Sequence, residues 1–360
     1  MEDNWKNEIP TPALVLDYNK MMENINTMAK FAKEHDINHR PHVKTHKCPI
    51  IAHLQLKAGC KGITVAKVGE AEVFAQSGID DIFIANQVIV PNHIDRFAKL
   101  NKYIKIRCAV DSQKNILDLS KIAAQNNTTL KVFLDINLGL GRSGVEPGEP
   151  ALEMARFIEK TPNIDLVGLF GYEGHLTPMM NLDQKEKMAN ECFKRIVDTR
   201  DLLNENGFNI KDITTSGSGT YRYAANYEGI TEIRPGTYVF SDEHLNMVEK
   251  AFKIAVTILG TIQNQTGKKE FTTDAGAKAI ATGDGKPEFK DFPRSKIRVM
   301  NEEHTQFKAI GLDKNLEIGQ KIEFYPAHIC TTINLHDHIH VIKDNEYVGT
   351  WEILARGKSY

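Results

Sequence analysis

The feature that most constrains this 360-residue sequence is a regular alternation of short apolar runs and amphipathic segments in its first two thirds. The apolar runs lie at residues 63–66, 82–85, 104–110, 130–136 and 166–170, with weaker ones near 213 and at 232–240. Segments with helical spacing separate them, at residues 19–35, 68–76, 115–125, 152–160 and 183–206. Together with a strand before Lys44, the pattern predicts eight strands that alternate with helices.

This alternation is typical of parallel strands joined by crossover helices. Eight such units fit a closed barrel of ~250 residues. A doubly wound open sheet is the alternative, but the glycine-rich turn that follows its first strand is missing here. We therefore predict an α/β fold with a (β/α)8 TIM-like barrel over residues 18–242.

The pattern changes after Phe240, where β-type runs are joined by turn signals such as Gly283-Asp284-Gly285. These runs lie at residues 253–262, 297–300, 321–324, 338–342 and 348–354, and no helical period is visible among them. We predict a C-terminal antiparallel β domain over residues 243–360, joined by residues 1–17.

Charge and cysteine content restrict the class of partner and the compartment. The net charge of -2 and the pI of about 6.7 favour neither nucleic acid nor a membrane surface as a partner. Five scattered cysteines do not suggest a disulfide framework. No stretch approaches the ~18 to 20 apolar residues of a membrane span, and the first ten residues lack the apolar core of a signal peptide. We expect a cytoplasmic protein.

The active site of a parallel barrel lies at the carboxyl ends of its strands. The first predicted strand ends in Arg-Pro-His-Val-Lys-Thr-His-Lys at residues 40–47. Neighbouring cations and loss of water would lower the pKa of Lys44 and favour the neutral amine that imine chemistry needs. The alternative for this segment is a solvated basic loop.

Later strand ends carry further candidates. Residues 135–144 contain Arg142, a fixed cation within a glycine-rich loop, and residues 170–175 contain Tyr172 and His175, which suit acid–base chemistry. Small residues at 216–220 and 236–237 follow the seventh and eighth strands, where barrels often bind phosphate. Each motif alone is weak, but their succession along the strand ends predicts one site.

The motifs at residues 40–47, 139–144, 172–175, 216–220 and 234–238 resemble, in this order, those of the D-threonine aldolase / D-serine dehydratase family of alanine-racemase-like, fold type III PLP enzymes. The resemblance covers essentially the whole chain. It implies that Lys44 binds pyridoxal 5'-phosphate and that Arg142 contacts its phenolic oxygen. It gives as further cofactor-binding residues Tyr172, Ser216, Gly217, Ser218, Gly219, Thr220, Gly236 and Thr237. It also implies a homodimer that acts on small D-amino acids.

His328 and Cys330 lie two residues apart in the predicted β domain, so on a strand they would face the same side. Such a pair alone is rarely a metal site, but the resemblance implies a divalent metal at this location. A thiolate–imidazole pair suits zinc best, with manganese or magnesium as alternatives. Glu303 and His304 lie in a loop like one that borders the site in relatives, and their role is open.

Two reactions on D-3-hydroxy amino acids follow from the resemblance. In β-elimination Lys44 removes the Cα proton and hydroxide leaves, whereas in retro-aldol cleavage a base such as His175 takes the hydroxyl proton. By resemblance Cys330 favours elimination, the reaction of D-serine or D-threonine dehydratases. An amino-acid racemase is a further alternative, but no second base is identified for it. A non-enzymatic PLP carrier would lack the β domain.

Overall fold

The computed structural model describes residues 4–312 and 316–360, which form two compact units. The β unit consists of the described parts of Met1–Thr27, Thr45–Cys48 and Thr237–Arg356. The barrel unit consists of Met28–Lys44, Pro49–Gly236 and Gly357–Tyr360. The chain begins with a 3-10 helix at Asn4–Glu8, strand β1 (Ala13–Asp17) and helix α1 (Tyr18–Glu34).

Eight parallel strands make the sheet of the barrel unit. They are β2 (Asn38–His39), β3 (Ile63–Val65), β4 (Asp81–Gln87), β5 (Lys105–Val110), β6 (Leu130–Ile136), β7 (Ile164–Gly171), β8 (Asp212–Thr215) and β9 (Glu232–Ile233). Each strand from β3 to β8 pairs with the next one in the chain, and β9 also pairs with β2. A parallel bridge between His42 and Thr64 joins the two ends of the sheet, and the Thr64 N–H donates to Pro41 O at 2.8 Å. The predicted (β/α)8 barrel is confirmed.

Helices follow the strands as crossover connections. They are α2 (Pro49–Lys57), α3 (Val68–Gln76), α4 (Pro91–Leu100), α5 (Gln113–Gln125), α6 (Glu149–Lys160), α7 (Leu182–Glu205) and α8 (Tyr221–Ala225). In α6 the buried residues Ala151, Leu152, Ala155 and Ile158 recur at helical spacing, so one stripe of the helix is covered.

Side chains from adjacent strands fill the barrel. Phe83, Ala109, Phe133 and Phe170, one from each of β4 to β7, form one buried cluster. A Cβ atom at Gly168 would lie 2.4 Å from the Phe133 ring, so only glycine allows this ring to pack there. The barrel interior is a packed core that supports the loops at the strand ends.

The β unit contains a nine-stranded, mostly antiparallel sheet. Besides β1, its strands are β10 (Val256–Gly267), β11 (Glu270–Thr273), β12 (Glu288–Phe289), β13 (Lys296–Met300), β14 (Thr305–Lys308), β15 (Lys321–Tyr325), β16 (His338–Lys343) and β17 (Glu346–Glu352). Strand β1 lies between β10 and β16, antiparallel to the first and parallel to the second. The ring of Phe289 lies 4.6 to 4.8 Å from the rings of Phe292, Phe307 and Phe324, centroid to centroid. This aromatic core stabilises the sheet through burial of apolar surface.

Two short helices follow Phe240 although the sequence shows no helical period there. The β unit contains α9 (Glu243–Val248) and α10 (Ile329–Thr332). The Oδ1 atom of Asp242 accepts a hydrogen bond from the Leu245 N–H at 2.8 Å and so caps α9. Both helices are too short to leave a period in the sequence. Among the described residues, no helix combines the length and apolar character needed to cross a membrane.

Candidate active site

Lys44 lies in a 3-10 turn at Val43–Thr45, directly after the segment that closes the barrel. The neighbouring side chains of Val43 and Thr45 are fully buried, whereas Lys44 is exposed. The expectation that Lys44 is desolvated is therefore wrong for the chain alone. The buried neighbours fix the turn, and the lysine side chain extends from a rigid base at the carboxyl end of β2.

Arg142 and Tyr172 come together although they follow different strands. The guanidinium carbon of Arg142 lies 5.6 Å from the centroid of the Tyr172 ring, a cation–π distance. Both residues line one small cavity at the ends of β6 and β7, together with Asp135, Asn137 and Phe170. The structure therefore places a cation and a phenol side by side at the barrel mouth.

Tyr172 also packs against the turn that follows β8. A Cβ atom at Gly217 would lie 3.2 Å from Cε2 and 3.3 Å from the hydroxyl oxygen of Tyr172. A Cβ atom at Gly174 would overlap the same ring, at 2.3 Å from Cε1. Glycine at both positions thus lets the tyrosine ring lie flat between its own loop and the next one. Arg142, Tyr172 and Gly217 therefore form one contiguous surface.

The turn at residues 216–220 is strained and contains an unsatisfied polar atom. Ser216 has a φ of +66°, which is uncommon for a residue with a side chain. Its Oγ atom is buried, and no described residue offers it a hydrogen bond. A buried hydroxyl without a protein partner can be satisfied by a polar ligand or by water. Together with the small residues Gly217 and Gly219, this turn fits a phosphate ester such as that of PLP.

Glu173, fully buried, holds this turn from below. Its two carboxylate oxygens accept hydrogen bonds from the hydroxyls of Thr215, at 2.9 Å, and Thr220, at 2.5 Å. The Thr220 hydroxyl also accepts the Gly217 N–H at 3.2 Å. The polar capacity of Thr220 is thus used within the protein, so this residue shapes the turn.

His175 is half-buried in the 3-10 turn Gly174–Leu176 that follows β7. Its Nδ1 atom is buried and has no hydrogen-bond partner within residues 4–312 and 316–360. A Cβ atom at Gly139 would lie 3.5 Å from His175 Nε2, so the imidazole lies against the glycine-rich loop after β6. Because no described residue hydrogen-bonds to Nδ1, the protein does not fix the tautomer of this imidazole through that atom.

Gly236 and Thr237 lie where the chain passes from the barrel unit to the β unit. Gly236 is buried in the barrel unit, directly after Pro235, whose carbonyl accepts the His42 N–H at 3.1 Å. Thr237 begins a 3-10 helix of the β unit, Thr237–Val239.

Arg234 is a site residue whose role the sequence did not reveal. It is buried and donates from Nη2 to the carbonyl of Gly171 at 2.8 Å, and its guanidinium carbon lies 4.1 Å from the Phe170 ring centroid. Burial lowers the pKa of Arg234 to about 10, although the charges of nearby carboxylates act in the opposite direction and raise this pKa. Arg234 thus supports the end of β7 from inside the barrel. The sequence signal that could have indicated this role is the position of Arg234 directly after strand β9.

The predicted strand at His328 and Cys330 is wrong, because His328 is the N-cap residue of α10 and Cys330 lies within that helix. The two side chains are close nevertheless, since a hydrogen bond that the protonated His328 imidazole donates to Cys330 contributes to the raised pKa of His328. The Nδ1 atom of His328 lies 2.8 Å from Oδ2 of Asp242, which also accepts the Ile329 N–H at 3.1 Å. Burial alone would lower the pKa of His328, but hydrogen bonds to Asp242 and Cys330 raise it to about 11.

This arrangement fits a cation-binding pair. A carboxylate on Nδ1 orients the imidazole, and Nε2 can serve as the ligand atom once a cation displaces its proton, as in carboxylate–histidine–metal sites. The Cys330 Sγ atom lies 3.3 Å from Thr45 Oγ1 and 3.9 Å from Thr237 Oγ1. Within the described ranges no group of three or more His, Cys, Asp or Glu side chains is placed to hold a metal ion. With two protein ligands, a metal at this pair would need further ligands from outside the protein.

Glu303 and His304 lie in the turn between β13 and β14 and are exposed. The Oε1 atom of Glu303 pairs with Nζ of Lys278 at 2.5 Å. A Cβ atom at Gly276 would overlap the backbone of this turn, at 2.5 Å from the His304 nitrogen. This close packing explains why residue 276 is glycine. The role of the Glu303 and His304 side chains stays open.

Comparison with known proteins places these features in a family. The model of the alanine racemase N-terminal domain matches residues 16–244, and that of a putative serine dehydratase domain matches residues 255–342. A D-threonine aldolase of Arthrobacter sp is 30% identical over 98% of this chain and 94% of its own length. A D-threo-3-hydroxyaspartate dehydratase of Delftia sp. is 27% identical over 96% of this chain and 97% of its own length.

Among solved structures, a D-threonine aldolase from Filomicrobium marinum superposes with a TM-score of 0.95 at 28% identity, covering 98% of this chain and 97% of that one. Family models, full-length relatives and fold thus agree with the motifs at the barrel mouth. This chain belongs to the D-threonine aldolase / D-serine dehydratase family of alanine-racemase-like, fold type III PLP-dependent lyases.

Proposed function

We propose that this chain is a divalent-metal-dependent lyase that cleaves D-3-hydroxy amino acids between Cα and Cβ, giving glycine and an aldehyde. The observation that carries this proposal is the half-buried imidazole of His175 at the end of β7, whose Nδ1 has no partner among the described residues. The aldolase relative is also somewhat more similar to this chain than the dehydratase relative, at 30% against 27% identity.

The cofactor site is assigned to residues at five strand ends. The exposed amine of Lys44 would hold PLP covalently, and Arg142, beside Tyr172, would face its phenolic oxygen. Ser216, with its buried hydroxyl, would bind the phosphate with Gly217, Ser218 and Gly219, and with Gly236 and Thr237 beyond β9. PLP, when bound, withdraws electrons from the bond that breaks at Cα. These residues bind and orient it.

The metal site is assigned to His328 and Cys330. The Asp242 carboxylate would orient the imidazole and offset the charge of the cation. An imidazole–thiolate pair favours zinc over manganese or magnesium. A divalent cation there supplies Lewis acidity toward the substrate hydroxyl.

His175 would take the proton of the substrate hydroxyl as the Cα–Cβ bond breaks. General bases contribute roughly 10²- to 10⁴-fold to rates of this kind. Nε2 of His175 lies beside Gly139, where an added Cβ atom would be 3.5 Å away, so the imidazole borders the loop that also carries Arg142.

A second candidate is β-elimination to a 2-oxo acid and ammonia, and Cys330 favours it. By resemblance, a cysteine at the second metal-binding position is typical of the dehydratases in this family. In that reaction the Lys44 amine would remove the Cα proton, and His175 would not be needed as a base. The two reactions share the cofactor, the metal pair and the substrate class.

Product analysis with D-threonine separates the two candidates. We expect glycine and acetaldehyde in equal amounts from the zinc-loaded holoenzyme. Formation of 2-oxobutyrate and ammonia would contradict retro-aldol cleavage and support elimination. Turnover that EDTA leaves unchanged would contradict the metal assignment. A homodimer and a cytoplasmic location stay predictions.

A further inference from the structure

The loop that carries Arg142 is held by two carboxylates, and a side-chain amide joins these carboxylates to each other. The three groups come from the ends of three neighbouring strands. This loop, residues 137–145, is called the Arg142 loop. Its two ends pair through Asn137 N–H and Val145 O at 2.8 Å, and the Asn137 side chain accepts the N–H groups of Gly139 and Gly141 at 3.0 and 3.1 Å. The loop therefore has an ordered shape of its own, but Arg142 at its tip is exposed.

Two hydrogen bonds fix the end of the loop next to Arg142. The Ser143 hydroxyl donates to Oδ2 of Asp135 at 2.8 Å, and the Gly144 N–H donates to Oδ2 of Asp111 at 3.1 Å. Asp135 belongs to β6, and Asp111 directly follows β5. The residues on the carboxyl side of Arg142 are thus held by two acidic side chains from different strands.

Gln87, the last residue of β4, joins these two carboxylates. Its Nε2 atom donates to Oδ2 of Asp111 at 2.9 Å and to Oδ2 of Asp135 at 2.8 Å. A side-chain amide has two N–H groups on this nitrogen, so each carboxylate receives one. Hydrogen bonds to ionised acceptors are stronger than neutral ones, and these offset the repulsion between two acids that lie close together.

Loss of this amide would leave the acids facing each other without a shared donor. Asp135 is only 3% exposed, so water cannot replace the missing bond. One of the two carboxylates would then turn away or take up a proton, and either change alters the acceptor for Ser143 or Gly144. The anchor of the Arg142 loop therefore depends on an uncharged donor at position 87.

We propose that Gln87 is a positioning residue that fixes the Arg142 loop by bridging Asp111 and Asp135. The inference rests on the proposed role of Arg142 in PLP binding. Gln87 contacts neither the cofactor nor the substrate in this account, and it acts through the two carboxylates. The order of the loop is a property of the protein before any cofactor binds.

The test compares Gln87→Met with wild type, with Gln125→Met as the control, because Gln125 is exposed at the end of α5. Hydrogen exchange of the cofactor-free protein is measured for the peptide that spans residues 138–145. We expect exchange in Gln87→Met to be about tenfold faster there, with other barrel peptides unchanged, and to be unchanged in Gln125→Met. PLP titration by absorbance should give a Kd about tenfold weaker for Gln87→Met alone.

Two further variants keep the test decisive. Adding Asp111→Asn to Gln87→Met removes one of the two negative charges and keeps an amide oxygen that can accept the Gly144 N–H, so it should restore part of the protection. If Gln87→Met does not fold, Ser143→Ala removes the loop's own donor to Asp135 and must loosen the same peptide. Wild-type exchange in either Gln87→Met or Ser143→Ala overturns the proposal. Faster exchange with an unchanged PLP Kd would support the Gln87 bridge as a structural device and contradict the role of Arg142 in PLP binding.

Discussion

The Sγ atom of Cys330 lies 3.3 Å from the hydroxyl oxygen of Thr45, the residue that directly follows Lys44 in the chain. Thr237, which directly follows Gly236, is the second hydroxyl near this thiol, at 3.9 Å. Thr45 thus follows the lysine assigned to PLP, and Thr237 is itself among the residues assigned to PLP. Substitutions at the proposed metal pair should therefore be checked for their effect on PLP binding.

The Asp242 carboxylate is expected to control metal affinity. Asp242→Asn keeps an oxygen for the N-cap of α9 but removes the charge that orients His328. Loss of such an orienting group typically weakens metal binding by about 10- to 100-fold. Zinc binding to the variant, followed by competition with a chelator, measures this directly. Asp291→Asn, an exposed substitution in the same unit, should bind zinc as wild type does.

Ser216→Ala should weaken PLP binding without lowering the stability of the protein. The variant removes a buried hydroxyl that lacks a partner among the described residues, so we expect the free energy of unfolding to be unchanged or higher by about 1 kcal/mol. The affinity for PLP should fall by roughly tenfold, since one phosphate contact is lost. Denaturant unfolding and PLP titration provide the two measurements.

Ser241→Ala is the matched control for Ser216→Ala. Ser241 is also buried, has a φ of +52°, and lacks a hydrogen-bond partner for Oγ within the described ranges, but it lies in the β unit. Its removal should affect stability in the same direction and leave the PLP affinity unchanged. Equal losses of PLP affinity in both variants would contradict a specific role for Ser216.

The Asp135 carboxyl should make stability depend on pH. Burial raises its pKa from 3.8 to about 6, and the Asp111 charge adds to this rise against the hydrogen bonds from Ser143 and Gln87. Because the folded pKa lies above the unfolded one, the folded state binds more protons between pH 4 and 6. This group's contribution to stability is therefore largest at low pH and is lost as the pH rises through about 6.

Asp135→Asn removes that dependence. The free energy of unfolding of the variant minus that of wild type should increase by about 2 kcal/mol from pH 4 to pH 7, as expected for a pKa shift of this size. Urea unfolding at both values measures the difference between the two proteins. A difference that does not change with pH would show that the Asp135 pKa is not raised in the folded protein.

His175→Gln tests the assignment of the general base. The variant should retain PLP with unchanged affinity and lose about 10²- to 10⁴-fold in kcat for cleavage of D-threonine. His53→Gln, in which an exposed histidine on α2 is replaced, serves as the control. A His175→Gln enzyme with nearly wild-type kcat would favour the elimination candidate, in which Lys44 acts as the base.

Several strands and helices of the barrel were predictable because their apolar patterns extend over many residues, but the helices α2, α4 and α8 were not predicted. The bounds of β6 and α3 coincide with the runs at residues 130–136 and 68–76. The four-residue helix α10 was not predictable, since so short a helix has no period and its alternating residues imitate a strand.

The side-chain contacts of the site depend on which strand ends become neighbours, and the sequence does not determine that before the sheet forms. Gln87 meets Asp135 only because β4, β5 and β6 are adjacent, although the residues are far apart in the chain. The hydrogen bonds from Thr215 and Thr220 to Glu173 arise in the same way, because β7 and β8 are adjacent. The exposure of Lys44 likewise follows from the turn at Val43–Thr45, which the basic motif alone did not reveal.

The central claim is that Lys44 holds PLP, and an absorption spectrum of the purified protein with added PLP tests it most directly. Wild type should show the band of lysine-bound PLP near ~420 nm, and Lys44→Ala should lack this band while its circular dichroism stays that of the folded protein. Lys47→Ala, which replaces a lysine three residues further along the same motif, should keep the band. A band that persists in Lys44→Ala would contradict the account, because another amine would then hold the cofactor.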